Sequence, residues 1–281
     1  MPPDRELTLA HSPDPDDAFM HFALAAGRID TGEFRFKHVL EDIESLNRRA
    51  LRGEYEITAV SMHAYAYCLE QYALLPHGAS IGDRYGPKVV AKEDFKIRDL
   101  KRSKIAIPGT MTTAYLVLRL ALGDFEHENV AFDEIPQAVA EGRYKAGLLI
   151  HEGQLTFESL GLTQVLDLGE WFAGVTGGLP LPLGVNAIRK DLGADIPRIS
   201  GYLKRSIEYG LEHRDEALAH AMQYGRGLDR ALADKFVGMY VNDFTLAFGE
   251  RGEAGVRELL TRAHAANLIP EPVAIEFAKS E

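Results

Sequence analysis

His151 is the residue whose type and place most suggest chemistry. It follows the apolar run Ala146-Gly147-Leu148-Leu149-Ile150, which reads as a buried strand. Strand ends are where α/β folds commonly meet their ligands. An unperturbed imidazole titrates near pKa 6.5 and suits proton transfer at neutral pH. Glu152 comes next, but neighbouring strand residues point to opposite faces, so no His–Glu dyad is implied. Three other junctions put polar groups where a strand gives way to a helix. The first, Ser12-Pro13-Asp14-Pro15-Asp16-Asp17, joins a serine to three carboxylates. Its prolines and the lack of a turn glycine disfavour a Ca²⁺ or Mg²⁺ loop. What remains is an aspartate-capped turn or a substrate contact through Ser12 or Asp14.

In the second junction, Thr58-Ala59-Val60-Ser61-Met62-His63, Ser61 either caps a helix or offers its hydroxyl to a ligand. Those roles overlap, because free N–H groups at a helix start attract anions. No Gly-x-Ser-x-Gly elbow surrounds Ser61, so a serine nucleophile is disfavoured. The third, Pro108-Gly109-Thr110-Met111-Thr112-Thr113-Ala114, follows the strand Ile105-Ala106-Ile107. A tight turn at glycine, then hydroxyls and amides at a helix start, makes either a capped helix or a cradle for a carboxylate. The lysine and glycine spacing of a phosphate-binding loop are missing. Ten histidines show no His-x-x-x-His, and the single Cys68 excludes Cys-x-x-Cys, so no metal is expected. His11, His21 and His63 share a cleft only if the fold assembles them. Trp171, Tyr65 and Tyr67 read as packing, and Cys68 as a small buried hydrophobe within a helix.

These residues need strands and helices to hold them, and the two alternate along most of the chain. Leu7-Thr8-Leu9-Ala10 reads as a strand, with Phe19, Phe22 and Ala23 on a helix whose cap or first turn takes Asp16 or Asp17. Residues 34–39 alternate as a strand, and Ile43, Leu46 and Ala50 mark a helix stopped near Gly53. Strand 56–61 precedes a helix carrying Tyr65, Leu69 and Tyr72. Strands are also expected at 87–91, 104–107, 129–132 and 146–150, with helices bearing Leu116 and Leu120, and over 135–142. This order predicts parallel sheets with crossover helices. Beyond the punctuation Gly177-Gly178-Leu179-Pro180-Leu181-Pro182-Leu183-Gly184 the chain reads as mostly helical, with stripes at Ile196–Ile207, Leu232–Tyr240 and Val256–Ala263.

A length of 281 residues is comfortable for two domains. The simplest division gives one discontinuous lobe of residues 1–91 plus 185–281, padded by the C-terminal helices, and a second lobe of residues 92–184. A ligand cleft is expected between them. Thirty-one basic against 42 acidic residues give a net charge of −11, which argues against nucleic acid or an anionic membrane as partner. The start, Met1-Pro2-Pro3-Asp4, has no leader-like apolar run, and no segment reaches the roughly 20 apolar residues of a membrane span. A cytoplasmic protein acting on a small molecule is the expectation, with the oligomeric state left open.

Several stretches together resemble one family. Ser12-Pro13-Asp14-Pro15-Asp16-Asp17-Ala18-Phe19 is similar to the Ser-Pro-x-Pro-[Asn/Asp]-Asp-x-Phe signature of the 1,4-dihydroxy-6-naphthoate synthases of menaquinone biosynthesis by the futalosine route. In the same order come Leu40-Glu41-Asp42-Ile43-Glu44-Ser45-Leu46-Asn47, Thr112-Thr113-Ala114-Tyr115, Gly147-Leu148-Leu149-Ile150-His151-Glu152, Leu179-Pro180-Leu181-Pro182-Leu183-Gly184 and Tyr240-Val241-Asn242. The resemblance implies a two-lobed α/β fold like the type II periplasmic binding proteins. It implies an enzyme that cleaves cyclic dehypoxanthine futalosine to the dihydroxynaphthoate without a cofactor. It also places His151 on the family's proton acceptor, Thr113 and Ala114 on a substrate-contact pair with Thr112 beside them, and Ala59, Val60 and Ser61 in the other contact segment. One departure stands out: family members carry a lysine two positions before that serine, where this chain has Ala59. Its charge would have to come from elsewhere, with Arg84 and Lys88 as candidates, or be replaced by backbone N–H groups. The rival readings are a binding protein for a small carboxylate and the sister chorismate dehydratase of similar fold.

Overall fold

The computed structural model describes residues 5–92 and 95–280. Met1-Pro2-Pro3-Asp4, where the leader expectation was read, and part of the charged 92–104 stretch lie outside the described residues. Eleven strands occur in chain order among these residues: β1 (Arg5–His11), β2 (Phe34–Leu40), β3 (Ile57–Ser61), β4 (Tyr72–Leu74), β5 (Ser80–Gly82), β6 (Lys88–Ala91), β7 (Ile105–Ile107), β8 (His127–Asn129), β9 (Ala146–Leu149), β10 (Thr163–Asp167) and β11 (Leu181–Arg189). They form two sheets, ordered β2-β1-β3-β11-β4 with β5 on β11, and β10-β6-β9-β7-β8.

Both sheets are mixed, which corrects the expectation of parallel sheets. β1 runs parallel to β2 and β3, but β11 lies antiparallel to β3 and β4. β7 runs parallel to β8 and β9, but β6 lies antiparallel to β9 and β10. The parallel pairs β1/β2 and β7/β8 are joined through helices; β5 and β6 are linked by a short turn, so no helical crossover sets the direction of β6.

The chain divides into one unit of residues 1–81, 184–250 and 274–281 and another of 82–183 and 251–273. Residues 82–91 and 251–273, read from sequence with the first lobe, therefore cluster with the second. Hydrogen bonding explains both. β6 is an interior strand of the five-stranded sheet. In the Gly249–Ala265 helix, Arg251 bridges Asp83 at 3.0 Å and donates to the Gly178 carbonyl, and Arg262 donates to the Val175 carbonyl at 2.9 Å. A Cβ on Gly255 of that helix would stand 2.4 Å from the Pro180 carbonyl oxygen, so the backbones approach closely there.

In the first unit the Ile196–Glu212 helix presents Ile199, Leu203 and Ile207 at helical spacing, all buried. Ile199 and Leu203 close over Leu7, Leu9, Phe34, Ile57 and Ile188 of the sheet, and Ile207 packs with Phe19, Met20 and Val237. On another face Ala10 and Ala59 pack against Leu46 of the Ile43–Ala50 helix. The second unit has its own core of Val90, Ala106, Ile135, Val139, Leu149 and Phe157. Three local expectations need correction. The helix after Ser61 covers only Met62–Tyr65, because Tyr72 pairs with Arg189 as part of β4. Cys68 is buried but lies outside any helix. The weak strand expected at 129–132 is shifted to His127–Asn129, where it pairs with β7.

His77, buried beneath the Ile196–Glu212 helix, has Nε2 2.9 Å from Ser200 Oγ. Burial first, then Lys204, holds its pKa down from 6.5 to about 4. The unfolded chain therefore takes up a proton near pH 6.5 that the folded chain refuses. This contribution to stability is complete above that pH and is lost as pH falls toward about 4, amounting to roughly 3 kcal/mol. Denaturant titrations of the His77→Gln protein are expected to show a shallower loss of stability across that window than the parent. Parallel profiles would remove His77 from the acid response.

Candidate active site

In the first unit, β1 ends at His11 and the chain turns through Ser12 and Pro13 into the Pro15–Met20 helix. Asp14 is the cap: its Oδ1 accepts from the Asp17 N–H at 3.2 Å, while Asp17 Oδ2 accepts from the Ser12 N–H at 2.8 Å. Asp16 and Asp17 occupy the first turn, so the cap falls two residues before the first of them. Asp16 Oδ2 accepts from Ser80 Oγ at 3.1 Å, and its Oδ1 is buried without a hydrogen bond. Burial, with Asp14 and Asp17 adding like charge, raises the Asp16 pKa well above the ordinary carboxyl value. Ser12 and Asp14 are both buried. Ser12 thus has its backbone tied into the turn, and Asp14 does structural work whether or not it meets a ligand.

Ser61 ends β3 and stands at the N-cap of the Met62–Tyr65 helix, yet its side chain makes no capping hydrogen bond. Asn47, fully buried on the Ile43–Ala50 helix, instead holds it from both sides. The Ser61 N–H donates to Asn47 Oδ1 at 2.8 Å, and Asn47 Nδ2 donates to Ser61 Oγ at 3.0 Å. Because Ser61 Oγ already accepts from Asn47, its hydroxyl proton is left to donate elsewhere. Nothing local in the sequence marks a helical asparagine as the partner of a serine 14 residues on. Truncating Asn47 to Ala removes the acceptor of a buried N–H, an expected loss of about 1–3 kcal/mol. Urea unfolding measures it, and an unchanged midpoint would show that the pair contributes little. Val60 is buried on the opposite face of β3, and Ala59 lies in the apolar contact with Ala10 and Leu46.

The second unit holds the other residues. Thr112 caps the Thr113–Leu122 helix, its Oγ1 accepting from the Tyr115 N–H at 3.1 Å and donating to the Gly109 carbonyl at 2.9 Å. Its hydroxyl is thereby consumed structurally. Thr113 Oγ1 donates to the Leu183 carbonyl at 2.6 Å. Thr113 and Ala114 open the helix, and first-turn N–H groups have no acceptor within a helix. The cradle reading therefore rests on the backbone N–H groups of the first turn more than on the Thr112 and Thr113 hydroxyls.

His151 follows β9 after Ile150 and adopts φ 52°, the left-handed region that a non-glycine residue occupies at a cost. Its ring packs edge-on against Phe132, with centroids 4.8 Å apart. The Gln154 N–H donates to its carbonyl at 3.2 Å, and Glu152 leads the short Gly153–Thr156 helix. Of the two cations suggested for an anionic ligand, Lys88 is engaged: Nζ is 2.6 Å from Gln164 Oε1 and 3.6 Å from Asp167 Oδ2. Arg84 is exposed, left-handed at φ 65°, and makes no ion pair among the described residues.

Of the expected His11, His21 and His63, the first two come together in the first unit, and their companions are His38 and His220 instead of His63. These four line a cavity of about 210 Å³. Burial lowers the pKa of all four, to about 4 for His11 and His38.

No helix among the described residues is long and apolar enough to cross a membrane. The menaquinone biosynthesis family matches residues 7–265. A 1,4-dihydroxy-6-naphthoate synthase of Thermus thermophilus is 40% identical over 95% of this chain and 97% of its own. Another, from Streptomyces coelicolor, is 37% identical over 96% of this chain and 98% of its own. Among solved structures, a protein of Archaeoglobus fulgidus shares 47% identity at a TM-score of 0.89, covering 94% of this chain and 98% of that one. A Candida albicans protein described as having the generic periplasmic binding protein fold superposes at 0.73 with 13% identity, covering 99% and 98% of the two chains. The alkanesulfonate-binding protein of Xanthomonas axonopodis superposes at 0.71 with 12% identity, covering 98% of each. Those last two likenesses establish the fold, which is that of the periplasmic binding proteins. Sequence, signature residues and fold agree: the chain belongs to the 1,4-dihydroxy-6-naphthoate synthase family of menaquinone biosynthesis.

Proposed function

We propose that the protein is a carbon–carbon lyase that cleaves cyclic dehypoxanthine futalosine to 1,4-dihydroxy-6-naphthoate in the cytoplasm, with His151 as general base. The observation that carries this reading is the near-full-length similarity to two enzymes named for that product. The left-handed backbone of His151 supports it, since strain of this kind persists where the surroundings over-determine a position and is often functional. In the proposed reaction His151 takes a proton from the substrate, the bond to the sugar-derived fragment breaks, and aromatisation of the ring drives the step. Proton transfer from a positioned base typically contributes about 10²–10⁴-fold, and orientation adds to it. The proposed substrate contacts are the Ser61 hydroxyl, with Ala59 and Val60 beside it, in the first unit, and the helix start at Thr112, Thr113 and Ala114 in the second. Ser12 and Asp14 are further contact candidates. No cofactor or metal is invoked in this chemistry.

The substrate carboxylate needs a positive or donor-rich partner, and Ala59 supplies no charge. Arg84 is the better of the two cations for that role, because Lys88 is held by Gln164 and Asp167. The test is incubation of the purified protein with cyclic dehypoxanthine futalosine, following naphthoate formation by mass and absorbance. Product formation supports the assignment, and an Arg84→Gln protein is then expected to show a raised KM with kcat little changed. Binding without turnover would point to a receptor-like role. Turnover of chorismate alone would transfer the chain to the dehydratase reading.

A further inference from the structure

The histidine-lined cavity of the first unit lies outside the proposed chemistry, and its tautomers can be worked out. His11 Nδ1 is 3.1 Å from the Ser12 carbonyl oxygen, which can only accept, so that nitrogen carries the proton. In a neutral ring His11 Nε2 is then an acceptor. Its partner, His38 Nδ1 at 3.1 Å, must be the donor. The lone pair of His38 is therefore on Nε2, which is buried and has no hydrogen-bond partner. A metal-ligating histidine typically donates its other ring N–H to an acceptor that orients it and makes it more basic, and His11 Nε2 stands in that place for His38.

His21 adds a second unsatisfied ring. It is 1% exposed, and both of its nitrogens are without hydrogen bonds. Burying an imidazole with neither nitrogen satisfied is costly unless something else meets the lone pair. His220, half-buried on the Arg214–Ala221 helix, lines the same cavity. The His21 centroid lies 6.5 Å from that of His38. Imidazoles sharing one tetrahedral ion at nitrogen–metal distances near 2.0–2.1 Å have centres roughly 5 Å apart, so the two rings must turn and close toward each other for both to reach one ion. The remaining lining, Ala18, Ala25, Leu40 and Tyr224, brings no carboxylate.

We infer that this cavity binds one divalent transition-metal ion of the Zn²⁺ or Co²⁺ class through His21, His38 and His220. His11 acts as the positioning partner of His38, and the fourth coordination position stays open to water or a small ligand. An all-imidazole set selects borderline metals over Mg²⁺ or Ca²⁺, which prefer oxygen. The sequence showed no metal motif here because the ligands come from β2, the residue after the Pro15–Met20 helix, and a helix 200 residues downstream. Binding would tie β2 to the end of the Pro15–Met20 helix and to the Arg214–Ala221 helix.

The experiment is titration of untagged, chelator-dialysed protein with Co²⁺, followed by visible d–d absorption and competed with Zn²⁺. The expected result is one ion per chain with the strong bands of a low-coordinate site. His38→Gln and His220→Gln, each partly exposed and so tolerant of exchange, are expected to weaken binding at least 10–100-fold. His151→Gln and His264→Gln are expected to bind as the parent does. Absence of the bands, or their survival in both cavity variants, would overturn the inference. Loss in His151→Gln alone would place the ion elsewhere and overturn it equally.

Discussion

The His151→Gln protein is expected to turn over cyclic dehypoxanthine futalosine about 10²–10⁴-fold more slowly than the parent, the contribution typical of a positioned general base. Glutamine approximates the size and hydrogen bonding of the ring but cannot take a proton at neutral pH. The loss should therefore fall on kcat, while substrate affinity measured by calorimetry changes little. Because His151 is left-handed at φ 52°, a substitution can also disturb the backbone. His151→Asn guards against this, since asparagine tolerates that conformation better than most residues. Both variants should be folded and both nearly inactive. Full turnover in either would end the assignment of His151 as base, and the proton acceptor would then be sought among the Asp14–Asp17 carboxylates.

Gly169→Ala should be the most damaging small substitution in the second unit. Gly169 opens the Leu168–Thr176 helix, where the Asp167 carboxylate accepts its N–H at 2.9 Å and that of Glu170 at 3.2 Å. A Cβ there would lie 2.0 Å from the Tyr85 carbonyl oxygen and 2.7 Å from the Gly86 nitrogen. Both are backbone atoms, so no rotamer change relieves the clash. The same carbonyl oxygen would be 2.0 Å from a Cβ on Gly82, so two glycines enclose it. The expected cost is about 3 kcal/mol or more, in the range of severe overpacking. Gly174 sits five residues on in the same helix with nothing within 4 Å of its Cβ position. Gly174→Ala is expected to stabilise by up to about 1 kcal/mol through helix propensity. Urea titrations of the pair separate close packing from propensity, and equal stabilities would refute the close approach. The turn that Gly169 packs against also carries Arg84. If Arg84 holds the substrate carboxylate, any soluble Gly169→Ala protein should show a raised KM as well.

Local periodicity and punctuation already determined much of this molecule. Alternation in residues 34–39 and the stripe Ile199, Leu203, Ile207 reported which face of each element is buried, and both elements form as expected. The ordered signature from Ser12 to Asn242 was specific enough to indicate the family. The strand end before His151 was also legible, because an apolar run followed by polar residues marks where a buried strand meets the surface. What an element packs against was not legible. Tyr72 read as helical until its pairing with β11 made it strand, and the Gly249–Ala265 helix read as padding for the wrong unit. Asn47 gained its role only by lying against Ser61, and four histidines far apart in sequence became one cavity. Period and propensity are properties of a dozen neighbouring residues. Pairing direction, unit membership and side-chain partnership depend on contacts between residues far apart in sequence, and those are decided only when the chain closes on itself.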